Sequence, residues 1–390
     1  MLYNLILLIG AICQLPKWLL QKKYKGTILQ RLGLKLPAKA NTIPTIWIHA
    51  VSMGETSAIL PIYERLLQKY PTAAFFFSSM TKTGLSQAQK LYPEAAGYFF
   101  LPLDFSWTMK KLVTRLKPDM LVLSEGDFWL NLTRSVKQRG GSVLLLNGKI
   151  SSRSSSRFAK VPRFSKQLFR QIDHLCIQNT EYATRFRSLY VPSKKISITG
   201  NLKLSITTPK LKPEEKAKWR EKLGLKDSDQ VITVGSTHEK EEELILPHIT
   251  GAKVLLAPRH PERFEAVKKF LEKNAYPDVR LIDQMGLLNI CYQLSDLAIV
   301  GGSFLSGVGG HNIFEPIQAE IPVLFGPYME TQKELVDLIL NAEAGIQTTT
   351  RDLPQALLKA PALTENAKAL SIHGSKIADE TWNALQSNLL

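Results

Sequence analysis

The sequence predicts an α/β protein made of two doubly wound domains, each a mostly parallel sheet with helices on both faces. Three observations predict it. Short apolar runs alternate with amphipathic stretches from residue 45 onward, the pattern of strands buried on both faces between crossover helices. The alternation breaks once, at SITTPKLKPEEK (205–216), which is rich in Pro and Lys and has no apolar period, and then resumes. The length of 390 residues suits two domains of ordinary size.

The elements follow in order. Residues 1–20, MLYNLILLIGAICQLPKWLL, are apolar except for Asn4, Gln14 and Lys17, and Pro16 interrupts them. About 20 apolar residues span a bilayer, and the basic flank QKKYKGTILQR suits the cytoplasmic side and anionic headgroups. This segment reads as an N-terminal membrane anchor; the alternative is a first helix packed on the domain. No A-x-A cleavage site follows, which argues against a cleaved signal peptide. TIWIHAV (45–51), AAFFFSS (73–79), MLVLSE (120–125) and SVLLLNG (142–148) are the strands of the first domain. Between the first two, Ile59, Leu60, Tyr63, Leu66 and Leu67 recur at helical spacing over 55–69. The second domain has QVITVGS (230–236), KVLLAP (253–258), VRLID (279–283), LAIVGGS (297–303) and PVLFG (322–326).

Composition limits the function classes. With 44% hydrophobic and 22% charged residues the chain is globular. A formal charge of +16 points to nucleic acid, an anionic membrane surface or a phosphorylated substrate as partner. Cys13, Cys176 and Cys291 lie far apart, form no disulfide framework and suit a reducing cytosol. Residues 149–170 carry seven basic side chains and no acidic one, with three phenylalanines and no tyrosine or tryptophan. That charge suits a lipid headgroup or a solvated face, and stacking on bases is weakly signalled.

Ligands of doubly wound folds sit at the carboxyl ends of the strands, and two such domains put a cleft between them. Polar residues and glycines collect at those ends in SMGE, SEGD, GSTHE, PRHPER and GGSFLSGVGGHN, which marks an enzyme. Glu55 follows the first strand. It either stabilises its own helix or, ionised near the positive end of the helix dipole, acts as a general base. Glu125 and Asp127 form a second acidic group, suited to acceptor hydroxyls or to orienting the site. Ser236 and Thr237 either cap the next helix or hydrogen-bond a phosphate. Arg259 can hold a phosphate bidentately, or sit in a solvated surface turn. GGSFLSGVGGHNIFEP (301–316) opens a helix near residues 312–317 whose N-terminus suits a phosphate, with Glu315 placed for ribose hydroxyls. It fails the dinucleotide fingerprint at Asn312 and has no P-loop lysine. Asp227–Ser228–Asp229 precedes a strand and reads as a turn, and His49, His238, His260 and His311 show no metal-ligand spacing, so no metal site and no cofactor is predicted.

Taken together, WIHAVSMGE, LPLDFSWTMKKLVTRLKPDMLVLSEGDFW, NGKISSRS, TGNLK, GSTHEKEEE, PRHPERF, DQMGLL and VGGSF…GGHNIFEPIQAEIPVLFGP resemble the Kdo transferases of lipopolysaccharide assembly over nearly the whole chain. The resemblance implies an inverting glycosyltransferase of GT-B type, two Rossmann-like domains facing a central cleft. It implies CMP-Kdo as donor and a lipid A precursor, lipid IVA, as acceptor at the cytoplasmic face of the inner membrane. It makes Glu55 the catalytic base and Arg259 the partner of the nucleotide phosphate. It puts Met285 and Gly286 near the cytosine, Gly310, Asn312 and Glu315 around phosphate and ribose, and Glu125 in the acidic block. Many members read E-T-E-x-W-P-N where this chain has EGDFWLN, which bears on regiochemistry.

The domains implied are an anchor with its basic flank (1–30), an acceptor domain (31–206), a nucleotide-sugar domain (207–365) and a C-terminal helix (366–390) returning to the acceptor domain. Neither nucleic acid nor an obligate protein partner is called for. Two rival readings are a GT-B enzyme using a UDP-sugar (a lipid disaccharide synthase or an epimerase) and a non-enzymatic basic protein that binds nucleic acid.

Overall fold

The computed structural model describes residues 2–20, 26–39, 42–205 and 209–390. The basic flank expected after the first helix therefore falls partly outside the described residues, at 21–25. The chain divides into two compact units, one comprising residues 1–206 with 374–390 and the other residues 207–373.

Unit 1 contains strands β1 (Thr45–His49), β2 (Ala74–Ser79), β3 (Gly97–Phe100), β4 (Met120–Ser124), β5 (Ser142–Gly148), β6 (His174–Ile177) and β7 (Ile196–Ile198). They form one sheet in the order β3-β2-β1-β4-β5-β6-β7, every pair parallel. The apolar runs are continuous because both faces are covered. Phe76, Trp47, Leu121 and Val143 stand in one register row. That row packs with Met109, Leu112, Leu116 and Val136 in a buried core. On the opposite face Phe77 stacks on Tyr92 at 4.2 Å, with Tyr63 edge-on to both. The helix expected over 55–69 is two helices, Met53–Ala58 and Leu60–Lys69, broken where Pro61 enters the second at its first turn.

The N-terminal segment is a helix, Leu2–Leu20, whose first turn docks on unit 1. The Tyr3 ring lies 5.3 Å from Phe164 and its hydroxyl donates to Asp104 Oδ2 at 2.9 Å. Asn4 bonds Ser106 and Asn131. Leu5, Ile6, Leu8, Ile9 and Ile12 stay exposed. The anchor expectation is corrected to this extent: among the described residues no helix is long and apolar enough to cross a membrane, and polar bonds tie the first turn to the domain. At the other terminus, Ile377 packs on Gly200, Arg65 pairs with Asp379, and Tyr70 donates to the Leu390 carbonyl at 2.9 Å.

Unit 2 contains β8 (Val231–Thr237), β9 (Lys253–Pro258), β10 (Val279–Leu281), β11 (Leu297–Val300), β12 (Val323–Phe325) and β13 (Gly345–Gln347), ordered β10-β9-β8-β11-β12-β13 and parallel throughout. Its core gathers Val234, Leu256, Ile299 and Leu324 with Ile245 and Leu271. PEEK of the expected linker instead opens a helix, Pro213–Leu223. Proline at its first position and Glu214 and Glu215 in its first turn favour that start. In each unit the strand order reverses beside the first strand, between β1 and β4 and between β8 and β11. Crevices at such switch points are where doubly wound folds bind ligands.

Candidate functional site

In unit 1 the switch point places Glu55, Glu125, Asp127 and His49 at the ends of β1 and β4. Ser52 caps the helix Met53–Ala58, accepting from the Glu55 N–H. The Glu55 carboxylate turns back, accepting from Val51 N at 3.0 Å and Ser52 Oγ at 3.0 Å. Burial raises its pKa above the ordinary carboxylate value, the bond from Val51 opposes this, and the negative charges of Glu125 and Asp127 add to the rise. The helix dipole therefore does not decide its proton affinity, as the sequence suggested; desolvation does. The result is a carboxylate fixed in direction and more basic than a solvated one, as a general base requires.

Glu125 directly follows β4 in the left-handed region, φ 58°, and is buried. A non-glycine residue held there costs roughly 1–3 kcal/mol and such strain collects at functional sites. Asn147, next to last in β5, and Ser236, next to last in β8, share it at φ 54° and 57°. Burial pushes the Glu125 pKa up, but Lys203 and Lys149, at 2.5 and 2.7 Å, outweigh it and hold the carboxyl below its usual value. Asn147 also donates to Glu125 at 3.3 Å. Thus Glu125 is an ionised strut between two lysines that the sequence reading did not single out. Asp127 lies 3.7 Å from His49 Nε2. Beyond it a cavity of about 630 Å³ is lined by Asp127, Phe128, Trp129, Phe164, Lys149 and Arg157 among others. The phenylalanines of 149–170 pack on one another: Phe158 lies against both Phe164 and Phe169, and Phe158 and Phe169 also pack against Phe128. Arg153, Arg157, Lys160, Arg163, Lys166 and Arg170 are exposed.

In unit 2 the polar loops are bound together by residues to which the sequence reading gave no role. Glu241, fully buried, accepts from four backbone N–H groups: His238 at 2.9 Å, Gly302 at 2.6 Å, Ser303 at 3.1 Å and Phe304 at 3.0 Å. It ties GSTHE to the glycine-rich loop. Glu242 accepts from Thr237 Oγ1 at 2.6 Å and bidentately from Arg263 at 2.9 and 2.8 Å. The Thr237 hydroxyl is thus buried with its proton given to Glu242. Neither Ser236 nor Thr237 caps a helix; the next one, Glu241–Ile245, begins after Lys240.

Arg259 is exposed at the end of β9, its N–H bonded to Thr237 O at 3.0 Å. His238, His260 and His311, far apart in sequence, converge beside it. His238 Nε2 and His311 Nε2 are 2.8 Å apart, and the His238 and His260 rings are 5.1 Å apart. Burial, reinforced by His238 and Arg259, pushes the His311 pKa down to about 4, so the ring is neutral near pH 7. Gly302, at φ 69°, leaves room for it: a Cβ there would meet His311 Cδ2 at 2.6 Å. Gly310, at φ 88°, is likewise closed to side chains by Met329. Asn312 donates to Glu315 Oε1 at 3.2 Å. Burial raises the Glu315 pKa while that bond and Arg259 lower it.

The helix expected near 312–317 is a single short one, Phe314–Gln318, so little dipole stands behind it. Met285 and Gly286 occupy an exposed loop after β10. Asp229 closes a turn on Lys226 N at 2.7 Å. Among the described residues no three His, Cys, Asp or Glu side chains are placed to hold one metal ion.

A family model described as 3-deoxy-D-manno-octulosonic-acid transferase (kdotransferase) matches residues 27–206. The chain is 33% identical to the 3-deoxy-D-manno-octulosonic acid transferase of Chlamydophila psittaci, over 99% of this chain and 95% of that protein. It is 28% identical to the enzyme of that name from Haemophilus influenzae, over 93% and 90%. Among solved structures it is similar to a UDP-GlcNAc 2-epimerase from Neisseria meningitidis, TM-score 0.59 over 88% of this chain and 100% of that one. Identity there is 13%, a likeness of fold alone.

Proposed function

The chain belongs to the 3-deoxy-D-manno-octulosonic acid (Kdo) transferase family, and from that premise we propose that it moves Kdo from CMP-Kdo to a lipid A precursor such as lipid IVA, with inversion. It is a glycosyltransferase of lipopolysaccharide synthesis. Glu55 takes the proton of the acceptor hydroxyl as that oxygen attacks the anomeric carbon of Kdo. The new C–O bond forms as the bond to the CMP phosphate breaks, and CMP departs with the electron pair. Arg259 meets the charge growing on the phosphate, a task for which a fixed cationic donor requires no metal ion. Asn312, Glu315, Gly310, Ser236, Met285 and Gly286 line the nucleotide's place in unit 2.

The observation that carries this reading is the Glu55 carboxylate, aimed by Val51 and Ser52 and made more basic by burial. The cavity beside Asp127, lined by Phe128, Trp129, Phe158 and Phe164 together with Lys149 and Arg157, supports an acceptor with acyl chains and phosphates. The exposed apolar face of the N-terminal helix and the basic face of 149–170 support a place on the cytoplasmic surface of the inner membrane, the helix lying along the anionic bilayer.

Mass spectrometry of lipid IVA incubated with the protein and either CMP-Kdo or UDP-sugars tests the reading. A mass increase by Kdo units with CMP-Kdo alone is expected. Glu55→Ala should abolish it while CMP binding persists. Near-normal transfer by that variant removes Glu55 from the base role, and turnover of UDP-sugars alone overturns the donor.

A further inference from the structure

His49 has no role in the reaction described so far, yet its neighbours select which ring nitrogen carries a proton. The ring is fully buried at the end of β1. The Trp47 indole, which can only donate, donates from Nε1 to Ser78 Oγ at 2.7 Å. The Ser78 hydroxyl keeps one proton to give, and among the described residues its only acceptor is His49 Nδ1, 2.8 Å away. A neutral imidazole that accepts at Nδ1 carries its own proton on Nε2. That N–H faces Asp127 Oδ2 across 3.7 Å.

The gap is too long for a hydrogen bond, which needs about 2.7–3.2 Å. Both atoms are nonetheless buried, and neither has a hydrogen-bond partner among the described residues. Two orphaned polar atoms pointed at one another are a bond left open, since buried polar groups are otherwise almost always paired. Closing it takes a shift of roughly half an ångström, within the torsional freedom of an aspartate side chain. Asp127 is partly exposed and lines the cavity assigned to the acceptor, so its second oxygen is free to meet an incoming hydroxyl.

We propose that His49 is a positioning residue: with its proton fixed on Nε2 by Trp47 and Ser78, it closes a hydrogen bond to Asp127 when the acceptor binds and aims the other carboxylate oxygen at the hydroxyl that Glu55 deprotonates. This rests on the reading of Glu55 as base. The negative charge of Asp127 already reaches Glu55 and adds to its proton affinity, so the orientation of Asp127 bears on both partners of the proton transfer.

The test is a set of variants in the full-length protein, assayed for Kdo transfer to lipid IVA. Glutamine places an amide N–H near the position of Nε2, and asparagine does not. His49→Asn should lower kcat by about tenfold or more, the scale of a displaced reacting group, with the KM for CMP-Kdo unchanged. His49→Gln should recover most of it. In an Asp127→Ala background, His49→Asn should cost nothing further, because its effect runs through Asp127. A full additive loss in that background, or equal damage from asparagine and glutamine, overturns the proposal, since a purely structural role predicts both. Should the asparagine variant not fold, nitrogen-15 spectra of histidine-labelled wild-type protein still decide: a proton found on Nδ1 of His49 overturns it. A wild-type protein without any Kdo transfer refutes the proposed function; additive losses in a transferring enzyme refute the positioning role alone.

Discussion

Replacing Glu241 by alanine should unfasten the glycine-rich loop from the turn after β8. The side chain is fully buried and accepts from the N–H groups of His238, Gly302, Ser303 and Phe304. Each buried donor left without a partner costs about 1–3 kcal/mol. Four of them set a ceiling near 12 kcal/mol, and water entering the emptied space reduces it, so a loss of about 4 kcal/mol is expected. For a unit of this size that lowers Tm by roughly 10 °C. Glutamine separates the two halves of the effect. One oxygen serves His238 and Gly302, the other Ser303 and Phe304, so an amide nitrogen in either place confronts two donors and keeps two bonds. About half the alanine loss should follow. Calorimetry gives Tm, and hydrogen exchange at the Gly302, Ser303 and Phe304 amides gives the site. A Tm within about 2 °C of wild type, with those amides still protected in Glu241→Ala, would refute the reasoning.

Glu125→Gln should destabilise unit 1 by roughly 1–2 kcal/mol near pH 7, a modest figure because Lys149 and Lys203 are each about a third exposed. The carboxyl is held below its usual pKa, so its stabilisation is present above the ordinary carboxylate range and lost as pH falls through the lowered folded value. The gap in Tm should therefore close in acid, and an equal gap at pH 3 and pH 7 contradicts this. Glu55 has the opposite sign: its raised pKa means stability present below the unfolded value of about 4 and lost as pH rises through the folded one. Glu55→Gln should melt higher than wild type at pH 7 and level with it in acid, while losing transfer. Glutamate in place of both Ile6 and Ile9, which are exposed on the N-terminal helix, should release the protein from anionic vesicles in sedimentation; unchanged co-sedimentation counts against the helix as the membrane contact.

The sheets were legible because buried parallel strands are written as unbroken apolar runs; SVLLLNG and KVLLAP coincide with β5 and β9 to the residue. β3, β6, β7 and β13 were not, because three or four residues at or near a sheet edge leave no such run. Glu55, Glu125, Asp127 and Arg259 were readable as polar residues at strand ends. The residues holding the loops in place were not. Glu241 and Glu242 sit in EKEEE, which looks like a solvated helix start until the fold folds two of its carboxylates inward. His238 and His311 are 73 positions apart, and no spacing rule links them. The His49 tautomer depends on Trp47 and Ser78, whose hydroxyl–indole contact exists only once β1 and β2 are paired.

The segment bearing Arg259 is moored at both ends. Its own N–H is bonded to Thr237 O, and four residues later Arg263 grips Thr237 O and Glu242. A turn guyed at two points has little room to swing, so accommodation of a differently shaped leaving group falls to the torsions of one guanidinium arm. Anyone seeking to retarget the enzyme to another activated sugar by loop grafting must transplant the moorings, Thr237, Glu242 and Arg263, together with the arginine they steady.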